Sequence, residues 1–310
     1  MTQPMVSAVI PAYNAADTLS RAIDSVMAQT FDDWELIVVD DGSSDRTPEV
    51  ARCYGDRVRI VQGPHAGPGE ARNRGAALAR GRYLAWLDAD DVWYPTKLAK
   101  QIELAESDDE LEFITGNYRF IDETGQCLGT GFERVPWLMA RIRRPAGQGC
   151  LVFTRDDVPA FLRHGFGAAI TVLMTRALFQ RIGGFCGWLS VAEDLHMAMR
   201  AVAASAKFGA VCEPLATYYL RQNSTVRSDA ERAQRETIRA YQDLRRMLST
   251  CDRPVRRALA EPLSRAHLDH AAVLGRLGRR REGAAAAWRA LWLRPHRTAL
   301  STMVEMAIGG

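Results

Sequence analysis

Apolar positions in the first third of the chain fall into short unbroken runs separated by segments of helical period. Residues 6–10 (VSAVI) read as a buried strand. Leu19, Ile23, Val26 and Met27 then recur at i, i+4, i+7 and i+8, the stripe of an amphipathic helix. Residues 34–39 (WELIVV), 57–61 (RVRIV) and 82–87 (RYLAWL) are three further strand runs, and 46–54 and 69–80 have helical character between them. Strands alternating with helices predict an α/β chain: a mostly parallel sheet, right-handed crossovers, and helices on both faces. Ligands of such sheets collect beyond the carboxyl ends of the strands.

Polar clusters stand at those ends. Residues 11–14 (PAYN) follow the first strand, 40–45 (DDGSSD) the second and 88–91 (DADD) the fourth. Crowded carboxylates such as Asp88, Asp90 and Asp91 repel one another, and partial desolvation raises their pKa values unless a cation shares the site. Between the acidic clusters lies a segment, 65–81, that is glycine-rich and then helical, and it brings Arg72 and Arg74 towards the same rim. Acids flanked by arginines suit a phosphate-bearing ligand held through a divalent cation, and hard oxygen donors favour Mg²⁺ or Mn²⁺.

Composition adds a globular frame. The chain has 310 residues, of which 47% are hydrophobic and 25% charged, enough for a full core plus an accessory segment. No basic leader precedes the first apolar run, and nowhere do ~18 apolar residues follow one another. That predicts a cytoplasmic chain with no spanning helix. Six cysteines without a C-x-x-C pair signal neither a zinc site nor a disulfide framework. Charge is uneven: residues 231–310 hold 16 arginines against 8 acids, although the whole chain is only +3. No nucleic-acid partner is expected.

Four stretches in order, 6–47 (ending VVDDGSSDRT), 67–91 (GPGEARNRGAALARGRYLAWLDADD), 178–185 (LFQRIGGF) and 192–201 (AEDLHMAMRA), resemble a family 2 glycosyltransferase of the GT-A fold. The resemblance covers about residues 5–226. It implies a GT-A domain over 1–226, with a nucleotide-binding half to about 115 and an acceptor half beyond it, followed by a helical extension over 227–310. It further implies an inverting, hexosyltransferase-type enzyme that moves a sugar from a nucleotide diphosphate, a UDP-sugar favoured, to a sugar or lipid-linked acceptor in cell-surface polysaccharide or glycolipid assembly.

By that resemblance Pro11, Tyr13 and Asp41 cradle the nucleotide base, Asp41 accepting from a pyrimidine imide N–H, with Arg72 facing the same pocket. Asp88 and Asp90 form a DxD pair, Asp88 towards the ribose and Asp90 towards Mn²⁺ or Mg²⁺ on the diphosphate, with Asp91 beside them. Glu193 and Asp194 open a helix whose Leu195, Met199 and Val202 form an inward stripe, and Asp194 is the expected general base. Read singly, these groups admit plainer roles: strand-end acids as solvated caps, DDGS as an Asx turn, Glu193-Asp194 complementing a helix dipole, Arg72 and Arg74 in surface ion pairs, Tyr13 as a packed aromatic.

The chain departs from the family pattern in two places. Cys186 and Gly187 stand after Phe185 where an acidic pair is usual, and Arg221 stands where a histidine is usual, as a permanent cation expected beside the donor diphosphate. Residues 128–165 are expected to shape acceptor specificity.

In the tail, 270–295 resembles one tetratricopeptide-like hairpin turning at Gly278 and ending at Pro295. One repeat cannot bury its own apolar face. It is expected to pack on the body, on a partner, or, through Trp288, Trp292 and neighbouring arginines, on the inner face of a membrane.

Other classes fail on particular residues. A phosphoacceptor receiver lacks its lone aspartate and strand-end lysine, a pyrophosphorylase lacks its G-x-G-T-R loop, and a haloacid-dehalogenase phosphatase has Val92 one residue out of register. The remaining alternative is a GT-A-shaped protein that binds a nucleotide sugar without turnover.

Overall fold

The structure, a computed structural model, describes residues 3–142, 149–221, 229–295 and 297–308. The apolar runs become strands β1 (Val6–Ala12), β2 (Trp34–Asp40), β3 (Arg59–Gln62) and β4 (Tyr83–Trp86), in the order β3-β2-β1-β4 and all parallel. Strand β4 is buried throughout and β1 nearly so, whereas the edge strand β3 is partly exposed, as the crossover arrangement requires. The connecting helices are α1 (Leu19–Met27), α2 (Thr47–Arg52) and α3 (Pro68–Leu78). Helix α1 buries Leu19, Ala22, Ile23 and Val26 against one face of the sheet. Helix α3 lies on the other face, where Gly75 lets it approach until an added Cβ would meet Val9 Cγ1 at 2.4 Å.

Beyond β4 the sheet becomes mixed. The order continues through β9 (Leu173–Thr175), β6 (Leu111–Ile121), β10 (Lys207–Tyr219) and β5 (Val92–Trp93). Strand β9 runs antiparallel to both β4 and β6, while β10 is parallel to β6. Two short strands, β7 (Cys127–Thr130) and β8 (Cys150–Thr154), pair antiparallel with β6 and β10. Strand β10 shifts register around Pro214, as expected where a residue without an N–H enters a ladder. Parallel pairing therefore holds for the alternating strand–helix half and gives way where the chain stops alternating.

Helix α4 (Lys97–Ala105) covers one face of this second half, and α5 (Pro136–Ile142), α6 (Val158–His164), α7 (Arg176–Arg181) and α8 (Glu193–Ala204) pack in the core cluster of the other face. The tail folds as α9 (Ala230–Met247), α10 (Arg253–Ala258), α11 (Ala260–Arg276), α12 (Arg280–Leu293) and α13 (Arg297–Ile308). The hairpin expected around Gly278 is the α11–α12 pair, and Gly278 has the positive φ (74°) of such a turn. Ile238, Tyr241, Leu244, Leu259 and Leu263 join the same buried cluster as Phe161, Met197 and Phe208, so α9 to α11 share the core of the sheet domain. The boundary expected at residue 226 lies outside the described residues, as do 143–148 of the expected acceptor segment. Among the described residues no helix is long and apolar enough to cross a membrane.

Candidate active site

The carboxyl ends of β1, β2, β3 and β4 point to one rim. The Asn14 Oδ1 accepts from Ser44 N at 2.9 Å, and Asn14 N donates to Ser43 Oγ at 3.0 Å, tying the PAYN turn to the DDGSSD loop. Gly42 is required there: its φ is +79°, and an added Cβ would stand 2.8 Å from His65 N. Pro11, the last residue but one of β1, lies beside Val39 of β2. Tyr13 is half-exposed and stacks on His65, with ring centroids 4.0 Å apart.

Asp41 is buried and accepts from Gly67 N at 2.8 Å and Ala66 N at 3.1 Å, and His65 Nδ1 lies 3.1 Å from its Oδ2. Its carboxylate thus holds the 65–67 loop at the start of α3. Arg72 was expected to face this pocket, and the structure turns it elsewhere. Two positions along a helix are about 200° of rotation, so it is Arg74 that lies 3.6 Å from Asp41, while Arg72 points the other way.

Arg72 is buried and bridges two acids, donating from Nη2 to Asp88 Oδ1 at 2.5 Å and from Nη1 to Glu193 Oε1 at 2.6 Å. Burial opposes its charge, but Asp88 and Glu193 more than offset that and raise its pKa. Burial pushes the Glu193 carboxyl up to about 7 even though Arg72 pulls the other way, and the neighbouring Asp194 charge adds to the rise. Its third nitrogen, Nε, is buried without a hydrogen-bond partner.

Asp90 is also met by arginines. Arg221 Nε stands 3.4 Å from Asp90 Oδ2, and Arg21 of α1 donates to the Asp90 carbonyl at 2.9 Å while lying over the Tyr219 ring at 4.0 Å. Burial and then Asp88 push the Asp90 carboxyl above the ordinary range. Asp91 is almost wholly buried and accepts from Tyr219 N at 2.9 Å, so it anchors β10 to the rim; burial, Asp90 and Asp88 raise its pKa strongly.

Asp194 is half-buried at the start of α8 and lines a cavity of about 480 Å³ with Tyr118, Tyr218, Phe161, Phe166 and Leu195. In its helix Met199 and Val202 are buried and Leu195 is half-buried at the cavity wall.

The donor set suits a hard cation. Asp88 and Asp90 offer partly exposed carboxylate oxygens within one short loop, and Asp88 adds to burial in raising the Asp90 pKa while Arg221 opposes it. Among the described residues no three His, Cys, Asp or Glu side chains form a metal-holding group. Mg²⁺ and Mn²⁺ sites on phosphate substrates usually take one or two carboxylates and complete the sphere with phosphate and water, so two aspartates fit such an ion and an all-protein cage is not needed.

A profile of the family described as "Glycosyl transferase family 2" matches residues 7–163. The chain belongs to glycosyl transferase family 2. WfgD of Escherichia coli, named as a UDP-Glc:alpha-D-GlcNAc-diphosphoundecaprenol beta-1,3-glucosyltransferase, is 35% identical over 158 residues, 50% of this chain and 62% of that protein. The succinoglycan biosynthesis protein ExoO of Rhizobium meliloti is 33% identical over 228 residues, 72% of this chain and 63% of that protein. The chain spans less than two thirds of the length of these curated relatives. In structure it is similar to TarS of S. aureus (TM-score 0.68, 16% identity, covering 97% of this chain and 88% of that one). It is also similar to the mannosyltransferase PcManGT of Pyrobaculum calidifontis in complex with GDP-Man and Mn²⁺ (TM-score 0.63, 19% identity, 99% and 80%). At these identities the likeness establishes the fold, GT-A.

Several residues of this glycosyltransferase site carried no sequence signal. Arg21 lies in a helix 69 positions before Asp90, and nothing local marks it out. Tyr118 sits in the long strand β6 with no local motif and enters the cavity wall where β6 and β10 are neighbours. His65 alone could have been found, since it heads the glycine-rich loop that follows β3.

Proposed function

We propose that this family 2 glycosyltransferase transfers a hexosyl group, with inversion, from a nucleotide-diphosphate sugar to an acceptor hydroxyl, a UDP-sugar being the favoured donor. The observation that carries this reading is the Arg72 bridge. It ties an acid of the expected donor-binding pair, Asp88, to Glu193, the neighbour of the expected base, so that donor and acceptor chemistry meet in one place.

The nucleotide base is proposed to lie against Pro11, Tyr13 and Asp41, whose carboxylate has lone-pair capacity beyond its loop contacts. Asp88 and Asp90 would hold Mg²⁺ or Mn²⁺, which when bound supplies Lewis-acid stabilisation of the leaving nucleoside diphosphate. Arg221 adds a fixed positive charge beside Asp90 for the same phosphate oxygens. The acceptor enters the cavity lined by Tyr118, Tyr218 and Asp194. Its oxygen attacks C1 from the face opposite the diphosphate; the new O–C1 bond forms as the C1–phosphate oxygen bond breaks. The hydroxyl proton passes to Asp194 and the bonding pair leaves with the diphosphate.

The named relatives support the setting. The undecaprenol-linked acceptor in the WfgD name and the succinoglycan of ExoO favour cell-surface glycan assembly, and TarS with UDP or UDP-GlcNAc and PcManGT with GDP-Man and Mn²⁺ favour a nucleotide-sugar donor with a divalent ion. A lipid-linked acceptor would favour action at the inner face of a membrane.

The test is Asp194→Asn, assayed for nucleoside diphosphate release with a panel of nucleotide sugars and glycan acceptors. Donor binding should be kept and transfer should fall by about 10²–10⁴-fold. Near-normal turnover would move the base away from Asp194.

A further inference from the structure

The loop from Cys186 to Ala192 leads directly into Glu193 and Asp194, and it holds a strained residue. Ala192 has φ +63°, a left-handed conformation that costs a non-glycine residue roughly 1–2 kcal/mol. Another part of the chain must fix it.

That part is α9, outside the 7–163 family match. The buried Glu236 accepts from Ser190 N at 2.8 Å, Val191 N at 2.8 Å and Ser190 Oγ at 3.1 Å. One carboxylate thus collects two successive backbone N–H groups, the arrangement by which a loop concavity takes an anion. Arg232, one turn earlier, donates to Glu236 at 2.9 Å and also reaches Ser190 Oγ. These donors hold Glu236 below the ordinary carboxyl range although burial opposes it.

Two turns further along the same face, Asp243 Oδ2 lies 3.2 Å from His196 Nε2, and His196 Nδ1 lies 3.1 Å from Cys186 Sγ. Burial pushes the His196 pKa down to about 4, so the ring is neutral at physiological pH, with one nitrogen free to donate to Asp243 and the other to accept from the thiol. Helix α9 therefore grips the loop directly at Ser190-Val191 and grips α8 at His196, one turn after Glu193, and it is His196 that meets Cys186 at the other end of the loop.

We propose that Glu236 is a positioning residue for glycosyl transfer: by holding the 190–191 backbone it sets where α8 begins, and hence where the Asp194 carboxylate stands relative to the acceptor. The inference rests on Asp194 as the base. Placement matters because a shift of about 1 Å at a reacting group can cost about a hundredfold in rate.

The experiment uses the full chain with three variants: Glu236→Ala, Glu236→Gln and Leu244→Ala. Leu244→Ala weakens the packing of the same helix in the core without touching the loop. Glu236→Ala should lower kcat by about tenfold to a hundredfold with donor KM and UDP affinity little changed. Glu236→Gln keeps an acceptor oxygen and should retain intermediate activity; it carries the test if the alanine variant does not fold. Leu244→Ala should lower Tm while keeping kcat. Wild-type kcat in the Glu236 variants, or an equal kcat loss in Leu244→Ala, would overturn the proposal. Full activity in Asp194→Asn would instead overturn the reading on which it rests.

Discussion

Arg72 and Glu193 stand 121 positions apart in the chain and 2.6 Å apart in the structure. The same guanidinium holds Asp88, so one buried cation serves two acids from opposite halves of the fold. A lysine has no planar fork with which to bridge them. Arg72→Lys should therefore lose most transfer activity, and Arg72→Met, which leaves Glu193 buried and unpaired, should cost about 3–5 kcal/mol in urea unfolding. Wild-type stability in Arg72→Met would show that the bridge is not the main support of this site.

The same pair sets a pH dependence. The Glu193 carboxyl is raised from 4.5 to about 7, so the folded chain keeps a proton that the unfolded chain gives up above pH 4.5. Stabilisation from this group is fully present below 4.5 and is lost as pH rises towards 7. In Glu193→Gln that slope should disappear, and Tm measured from pH 4.5 to 7 should be flatter than in the wild type. An unchanged profile would place the titration elsewhere.

Asp90 tests the metal. UDP with Mn²⁺ should raise Tm more than either alone, since a ligand at about 100 times its Kd adds about 2.7 kcal/mol. Asp90→Asn should remove the Mn²⁺-dependent part and leave the unliganded Tm close to that of the wild type. If the variant keeps the full Mn²⁺-dependent shift, the ion is held by other groups.

Arg221, 3.4 Å from Asp90, is expected to act mainly in the transition state. Arg221→Ala should then lower kcat more than it raises donor KM. Arg221→His should restore activity in part, and more below about pH 6.5, where imidazole is charged. A rescue independent of pH would remove the charge from this role.

The last test concerns the tail. Trp288 and Trp292 are 54% and 81% exposed, one turn apart on α12, with Arg280, Arg281 and Arg289 exposed nearby. Exposed indoles beside arginines suit an anionic lipid interface. The full chain should co-sediment with anionic liposomes and not with neutral ones, less at high salt, and Trp288→Ser with Trp292→Ser should abolish pelleting. Equal pelleting by the double variant would locate any lipid contact elsewhere.

What could be read from the chain was whatever is encoded locally. β1, β2 and β4 are largely apolar runs ending in polar clusters, acidic after β2 and β4, and α1 carries its stripe at the expected spacing, because burial on a sheet or beside it demands those periods wherever the segment ends up. The first strand of lower contrast was already misplaced. Residues 57–61 were expected to pair, but Gly55–Arg57 forms a short 3₁₀ turn and pairing begins at Arg59. The mixed half was less legible still: β5 and β9 have two and three residues, too few to show a period, and their neighbours come from remote parts of the chain.

The sequence by itself determined that acids, arginines and a glycine-rich turn would gather at one edge of an α/β sheet, since parallel connection leaves strand ends no other place. Only the tertiary structure decided which arginine meets which acid. Arg72 and Arg74 lie in the same helix, and their division between Asp88-Glu193 and Asp41 follows from how α3 is rotated against the sheet. The grip of Glu236 on Ser190 and Val191 has no local signature either, because its partners lie 46 and 45 positions away. Contacts of that kind are made by packing once the core has closed, and neither residue needs any particular neighbour in sequence to make them.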